Sequence, residues 1–598
     1  MQEYTSPGEV QISPQENLTA SLWKAAAEHP DRPIVAVRVG DGFVNWTTRQ
    51  FVDEVKGVAK GLMAAGVEKG DTVCIHSATC VEWTILDYAI WAAGGVTVPI
   101  YETSSAEQID WIVTDSGAKL LVTQDAALKS VVDEVAANLP GLEQVLVIAD
   151  GALETLKQQG AHLSDEDLEA RSAAAVGDDV ATLVYTSGTT GRPKGCVITH
   201  YSFIWDAEQA AKALPEILKP GGTTLFFLPL AHIFARVIQT SSIRHGVVLG
   251  YASGIPQLVE ELGIFKPTFL VAVPRIFEKV FNGARQKAVD DGKGKIFDKA
   301  AQVAEDFSRQ SESGKPAFFT KLLHGIFDKL VYSKLRAVMG GQVTYAVSGG
   351  AALGERLSHF YNGIGVTILE GYGLTETTAG HCIGRVTASR IGTVGQPLPG
   401  ASVKIAPDGE IMLKGGNIFR GYHNNPEATA EVMTDDGWFH SGDLGEIVGN
   451  GFVKITGRKK ELIVTAGGKN VAPAVLEDRM RSHALVSQSM VIGDGQPFIA
   501  ALIAIDAESF PTWAAANGKE GKSVADLVDD ADLKAEIQHA IDEANQAVSK
   551  AESIRTFKIL PEDFEVGVEL SQKMSVKRHV VTEKYKDVID DIYADVKR

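Results

Sequence analysis

The residues most suited to chemistry gather in the run YTSGTTGRPKG, Tyr185 to Gly195. Thr186, Ser187, Thr189 and Thr190 offer hydroxyl donors, Gly188, Gly191 and Gly195 let backbone amides approach a ligand, and Lys194 adds a point charge. Such a set suits a polyphosphate. It is not a P-loop, because that pattern has a glycine directly before its lysine and a serine or threonine after it, whereas Lys194 stands between Pro193 and Gly195. Proline fixes φ and has no N–H for a phosphate, so the lysine must meet its anion from a different loop. A ligand-free Gly/Thr-rich hairpin turn is the plain alternative; the hydroxyls, the lysine and the preceding apolar run ATLVY weigh against it.

A loop of this kind needs strands to hold it, and the chain has them. TVCIHS, KLLVT, EQVLVIA, ATLVYT, TLFFLP and TFLVAVP are short, β-rich and bounded by turn residues, while Phe51 to Ala65 and Glu107 to Asp115 carry helical periodicity. The alternation predicts α/β layers with mainly parallel strands. From about Gly283 to Met339 the pattern is helical throughout. Its second half places Phe319, Leu322, Leu323, Ile326, Phe327 and Leu330 near one face, with Lys321, Lys329, Lys334 and Arg336 elsewhere. That describes either a helix packed on its own domain or a basic amphipathic helix lying on an anionic membrane. Beyond Gly409 come short alternating strands with glycine turns, including the hairpin signal Asn450-Gly451. The stretch from Arg458 to Arg598 reads as a compact α+β unit.

Composition bounds the function. At 598 residues the chain exceeds one hydrophobic core, and length alone suggests about four folding units. A net charge of -19 disfavours a nucleic-acid partner, since phosphate backbones are held by basic surfaces. Cys74, Cys80, Cys196 and Cys382 show no metal-ligand or CxxC spacing, which points to a reducing compartment. The opening MQEYTSPGEV lacks a basic-then-apolar signal, and the long apolar segment WTILDYAIWAAGGVTVPIY is interrupted by Asp87. The expected location is therefore cytoplasmic, with peripheral membrane association open through the basic helix.

Five motifs occur in a telling order: YTSGTTGRPKG, then SGGAAL at Ser348 to Leu353, GYGLTET at Gly371 to Thr377, HSGDLGEI at His440 to Ile447, and GRKKELIVTAGGKNVAP at Gly457 to Pro473. Together they resemble the adenylate-forming superfamily, which comprises acyl-CoA synthetases, luciferases and the adenylation domains of peptide synthetases. The resemblance runs from about Ala20 to nearly the C-terminus. Within it, DGWFHSGDLGEIVGNGFVKITGRKKELI, AVPRIFEKV at Ala272 to Val280 and the helical insertion that follows are similar to long-chain acyl-CoA synthetases. The resemblance implies an α/β fold. A large N-terminal domain of several subdomains, 1-457, has parallel-rich sheets flanked by helices and an insertion at about 283-339; a small mobile α+β C-terminal domain spans 458-598.

It also implies a long-chain fatty acid:CoA ligase using ATP, magnesium and CoA. A carboxylate first displaces pyrophosphate to give acyl-AMP, a step that needs charge neutralisation and in-line positioning. Thr186 to Gly191 with Lys194 would wrap the β- and γ-phosphates, Glu376 matches the magnesium-associated carboxylate, and Thr375 can reach the α-phosphate. Gly349, Gly350 and Ala351 leave room for a flat ring, on which Tyr372, between Gly371 and Gly373, can stack. Asp443 can accept both ribose hydroxyls, and Arg458 can hold the ribose from across the cleft. His232, in LPLAHIF, matches a histidine beside the acyl-adenylate site, although a lone histidine on an apolar strand also serves as a satisfied core residue. For thioester formation the C-terminal domain rotates about a hinge at Lys460, and Gly467 and Gly468 border a narrow pantetheine path or form a plain turn.

One motif departs from the pattern. The family ends with a lysine that reaches the α-phosphate, and in LSQKMSVKR, Leu570 to Arg578, that position holds Ser575. An uncharged hydroxyl cannot supply the same field. If the segment is extended, Lys573, Ser575 and Lys577 share one face with about 6 to 7 Å between successive members, which makes Lys573 the replacement and Lys577 the second choice. Rival functions are a luciferase-like oxygenase, an acyl-adenylating module that loads a carrier protein, and a degenerate binding protein. Related enzymes include monomers and homodimers, so the resemblance leaves the oligomeric state open between the two.

Overall fold

The computed structural model describes residues 2–186, 192–571 and 575–594. Its largest sheet has seven strands in the order Gly421–Tyr422, Lys194–Thr199, Val180–Thr186, Val96–Ile100, Thr72–His76, Leu120–Thr123 and Gln144–Val147. The five strands from Val180–Thr186 onward run parallel, and the first three are joined antiparallel. Parallel strands covered on both faces read as unbroken apolar runs, and Val96–Ile100 and Leu120–Thr123 are buried at every position. A second sheet sets Phe269–Ala272, Tyr345–Ser348 and Thr367–Tyr372 parallel and closes with two short antiparallel strands. A third, antiparallel throughout, orders Glu3–Thr5, Ser402–Ile405, Glu410–Lys414, Phe439–Val448 and Phe452–Arg458. Gly449 and Gly451, flanking Asn450, adopt φ of 54° and 86°, which turns the last two strands back on each other.

Asp87 does not break the apolar segment that contains it. The helix Val81–Ala92 is buried almost all round, and Asp87 forms a bidentate pair with Arg236, both fully buried. The guanidinium lies 5.3 to 5.4 Å from the rings of Trp83, Trp91 and Phe203, so the buried charge is held by ionic and π contacts together. Among the described residues no helix is long and apolar enough to cross a membrane.

The helical segment begins at Pro274, earlier than the sequence pattern suggests, and comprises the helices Pro274–Asp290, Gly294–Ser313 and Phe318–Phe327 followed by one π turn and Ser333–Val338. Proline at the first helical position explains the early start. The C-terminal unit has its own core from Ile463 onward, around Val486–Ile492, Ile499–Ile505 and Ile554–Ile559. It touches the larger unit through Arg275 to Asp506 at 2.8 Å, Lys279 to Glu508 at 2.9 Å and Arg356 Nη2 to the Ser482 carbonyl at 3.2 Å.

Candidate functional site

Thr186 ends the strand Val180–Thr186 and pairs in register with Lys194, the first residue of Lys194–Thr199. The two residues therefore stand at the base of one hairpin. Ser187, Gly188, Thr189, Thr190 and Gly191 lie outside the described residues. Past them, Trp111 Nε1 donates to the Pro193 carbonyl at 2.8 Å, and the Arg192 guanidinium sits 4.7 Å over the Trp111 ring. Trp111 thus clamps the backbone that presents the lysine. Gly195 departs from expectation: a Cβ there would lie 3.1 Å from the Tyr185 ring and 3.3 Å from His423 Cβ, so its small size serves packing under the loop.

Lys194 Nζ lies 5.0 Å from the centre of the Tyr422 ring, and Tyr422 Oη donates to Glu376 Oε1 at 2.8 Å. Burial, with the Glu376 charge nearby, pushes the Tyr422 phenol well above its ordinary pKa, so it stays a donor. Tyr422 is positioned by the short strand Gly421–Tyr422, which pairs with the Lys194 strand at Cys196. Cation and carboxylate are thereby fixed by one aromatic side chain at the foot of the loop.

Glu376 sits in the single 3₁₀ turn Thr375–Thr377, with Thr375 buried beside it. The turn is followed by Thr378 and Ala379 at φ of 48° and 76°, a region that costs energy for residues with a Cβ. Three contacts hold it. Thr378 Oγ1 donates to the Asn417 carbonyl at 2.7 Å, Asn417 Nδ2 donates to the Thr377 carbonyl at 3.0 Å, and the Gly380 amide donates to Asp206 Oδ2 at 3.0 Å. Burial raises the Asp206 carboxyl well above the ordinary range. Gly373 is obligatory here, since a Cβ would fall 1.6 Å from the Ala379 carbonyl oxygen; Gly371 meets its nearest atom at 3.5 Å.

Tyr372 ends the strand Thr367–Tyr372, and its hydroxyl donates to Asp443 Oδ2 at 2.7 Å. The other carboxylate oxygen meets Arg458 Nε at 3.2 Å. Asp443 and Arg458 are register partners on adjacent strands of one hairpin, which corrects the expectation that the arginine reaches from across a cleft; the Asn450-Gly451 turn brings the two together. Each oxygen keeps acceptor capacity for a further donor. Burial pushes the Asp443 carboxyl upward against the pull of Arg458. Beneath it, Glu410 accepts from the Gly442 amide at 2.9 Å and from Lys459 Nζ at 3.0 Å, which fixes the Ser441–Asp443 turn.

Gly349, Gly350 and Ala351 follow the strand Tyr345–Ser348. Gly350 has φ of 86°, and a Cβ on Gly349 would stand 3.1 Å from the Phe234 ring. His232 is not on a strand: it caps the helix Ile233–His245, with Nδ1 accepting from the Phe234 amide at 3.1 Å. Phe234 thus joins the His232 cap to the small-residue turn. The geometry builds two clusters on strands of three sheets, one cationic and carboxylate, one carboxylate and aromatic. Such a pair can grip a long ligand with anionic and polyhydroxyl ends.

The model of the AMP-binding enzyme family matches residues 22–423, and that of the AMP-binding enzyme C-terminal domain matches residues 460–597. The chain belongs to the AMP-binding enzyme family. The long-chain-fatty-acid–CoA ligase FadD15 of Mycobacterium bovis is 48% identical to it over 598 residues, covering 99% of this chain and 100% of its own. The long-chain-fatty-acid–CoA ligase ACSBG2 of Xenopus laevis is 30% identical over 610 residues, covering 95% of this chain and 82% of its own. Among solved structures, the A domain of a carboxylic acid reductase from Segniliparus rugosus, in complex with AMP and a co-purified carboxylic acid, superposes with a TM-score of 0.75 at 19% identity, covering 98% of this chain and 95% of its own. That likeness shows the adenylate-forming fold, α/β in its large part with a smaller C-terminal domain.

The C-terminal part of this AMP-binding enzyme brings two further corrections. Lys460 is exposed in the turn Lys459–Glu461, next to Lys459, which is tied to Asp408 at 2.6 Å as well as to Glu410. Gly467 and Gly468 lie in the hairpin between Ile463–Val464 and Asn470–Val471. Neither is hemmed in: a Cβ on Gly467 would meet only Thr465 Oγ1 at 3.9 Å, and Gly468 is set apart by its φ of 74°. With open space around both, the pair forms a plain turn in this arrangement of the domains, and the narrow path is not built here. Leu570 pairs with Val576 in an antiparallel bridge, and the Ser571 amide donates to the Ser575 carbonyl at 2.8 Å, so Ser571 and Ser575 face each other and do not lie on one extended strand. Lys573 lies outside the described residues, and Lys577 Nζ donates to the Gly567 carbonyl at 2.6 Å.

Proposed function

We propose that this chain is an ATP-dependent long-chain fatty acid:CoA ligase. The carboxylate attacks the α-phosphorus of ATP and releases pyrophosphate; the thiol of CoA then attacks the acyl-AMP carbonyl and AMP leaves. The observation that carries the substrate class is the likeness, 48% identical from end to end, to a relative named as a long-chain-fatty-acid–CoA ligase. The site geometry supports the chemistry. Lys194, with Thr186 and the hydroxyls and amides of residues 187–191, takes the β- and γ-phosphates, and Thr375 faces the α-phosphate. Gly349, Gly350 and Ala351 flank the base with Tyr372, between Gly371 and Gly373, while Asp443 accepts the ribose hydroxyls with Arg458 beside it. His232 borders the acyl end.

Magnesium fits this donor set as a companion of the triphosphate. Among the described residues there is no cluster of three metal-ligating side chains, and Glu376 supplies one carboxylate whose Oε1 is already oriented by Tyr422. Hard cations of this kind complete their shell with phosphate oxygens and water. When bound, the ion neutralises phosphate charge. The protein then has to orient the groups and exclude water, which needs no side-chain nucleophile.

Residues 1-457 form the ATP- and acyl-binding domain, and 458-598 form the domain that rotates about Lys460 and brings Gly467 and Gly468 toward the pantetheine arm. Lys573 supplies the charge that Ser575 lacks. Location is cytoplasmic with peripheral membrane contact. The test is AMP formation across a fatty-acid length series, with and without CoA. Long chains should give CoA-dependent AMP release; no AMP at any length would overturn the reading. Full acyl-dependent pyrophosphate exchange by Lys573→Ala would remove that lysine alone from it.

A further inference from the structure

The helix Phe318–Phe327 has no buried residue. Phe318, Phe319, Leu322 and Ile326 are 82%, 68%, 51% and 46% exposed, and Leu330 in the next turn is 54% exposed. Positions 318, 322, 326 and 330 recur at one helical interval, with 319 beside them, so the five form a single outward stripe. The sequence pattern joins Leu323 and Phe327 to that stripe. The structure turns them inward instead, leaving both only partly exposed, with Phe327 against the core.

The helix is firmly anchored on its inner side. His324 Nε2 lies 2.6 Å from the Gly363 carbonyl, its ring stacks on Phe307 at 3.9 Å, and the fully buried Tyr332 donates to the Ala300 carbonyl at 2.7 Å. The outer stripe is therefore held out by structure. Charge decides what it suits. The chain carries a net charge of -19, yet Asp328 is the sole acidic residue from 315 to 338, and Arg336 pairs with it at 2.8 Å. Lys315, Lys321, Lys329 and Lys334 are exposed, and among the described residues none of the four has an ion pair. An apolar helical stripe flanked by unpaired lysines matches the boundary of an anionic bilayer, where acyl chains and phosphates lie side by side.

We infer that residues 315–338 form a docking face that lies flat on an anionic phospholipid surface, with Phe318, Phe319 and Leu322 in the acyl boundary and the lysines on lipid phosphates. The inference rests on the ligase reading in one respect: a long-chain acid is concentrated in a bilayer, so docking there places the enzyme at its substrate. The Gly363 carbonyl that anchors the helix shortly precedes the strand Thr367–Tyr372, which ends at the site.

The test is co-sedimentation of the full chain with vesicles of phosphatidylcholine alone or with added phosphatidylglycerol. Two variants are compared, Phe319→Asp/Leu322→Asp and Lys321→Glu/Lys329→Glu, and ligase turnover on an albumin-delivered fatty acid without vesicles monitors their fold. The wild type should sediment with phosphatidylglycerol vesicles, and each variant should lose about tenfold or more in partitioning while keeping vesicle-free turnover. Wild-type protein that stays in solution, variants that sediment unchanged, or a dimer dissolved by the apolar variant would overturn the inference, the last naming a second copy as the occupant. Absent vesicle-free turnover in the wild type would count against the ligase reading, because sedimentation does not depend on it.

Discussion

Tyr422 Oη donates to Glu376 Oε1 at 2.8 Å while its ring lies 5.0 Å below Lys194 Nζ. One side chain therefore sets the spacing between a cation and a carboxylate. Tyr422→Phe keeps the ring and removes the donor to a charged group, a bond worth about 1.5–3 kcal/mol. Pyrophosphate exchange should fall about tenfold or more, with a higher magnesium concentration needed for half-maximal rate. Tyr422→Leu should fall further, because the cation–π contact goes too. Titrating exchange against magnesium checks this; a Phe variant with an unchanged magnesium profile would show that the hydroxyl does not position Glu376.

The Asp443 carboxylate is buried and answers to Tyr372 and Arg458 together. Asp443→Asn keeps the shape but loses charge and half the acceptor capacity, so the KM for ATP should rise about tenfold or more with a smaller change in kcat. The arginine side chain is 54% exposed, and solvent weakens its pairing. Arg458→Ala should accordingly raise KM by less than the Asp443 change. Initial rates of AMP formation against ATP concentration separate the two, and equal effects would show that the arginine contributes by more than its charge.

What was legible in the sequence divides along a physical line. Strands with unbroken apolar runs, such as Phe269–Ala272, and the glycine-marked hairpin after Val448 follow from local composition, and so do the motif residues near them. Tyr422, Glu410, Lys459, Asn417 and Asp206 were not legible. Each acts on the site through a partner distant in sequence or through a strand as short as Gly421–Tyr422, where no periodicity can register. The pairing of Arg458 with Asp443 is not legible locally, because register across a hairpin is a pairing property. The pairing of Ser571 with Ser575 is illegible for a related reason: serine and lysine alternation is compatible with a strand, and the hydrogen bond between the two is tertiary information.

Asp478 should make the packing of its helix pH-dependent. Burial pushes its carboxyl up to about 6, helped by Glu477 on its own helix and by Glu278 and Glu370 of the larger unit, against the pull of Arg481. A carboxyl raised above its unfolded value binds a proton more readily in the packed state, so packing is favoured at low pH and weakens as pH rises through about 6. Hydrogen exchange of the helix Pro473–Arg481 should therefore be slower, relative to the intrinsic rate, below that pH than above it. Asp478→Asn should flatten the profile; a variant that keeps the wild-type slope would place the titrating group elsewhere.

Two glycines that look alike in GYGLTET should behave differently when a methyl group is added. At Gly373 the new Cβ would lie 1.6 Å from the Ala379 carbonyl oxygen, a backbone atom in a turn already held at positive φ. Nothing there can yield cheaply, since Ala379 and Thr378 are fixed through Asn417 and Asp206. At Gly371 the nearest atom is 3.5 Å away, an ordinary contact. Gly373→Ala should lower the melting temperature by several degrees and cut exchange about a hundredfold or more, because Glu376 and Thr375 ride on the displaced turn. Gly371→Ala should melt within about a degree of wild type and keep most of its activity. Melting and pyrophosphate exchange on both proteins decide it. Comparable losses at the two positions would mean that Gly371 is needed for close approach of a ligand, a requirement the unliganded packing does not impose.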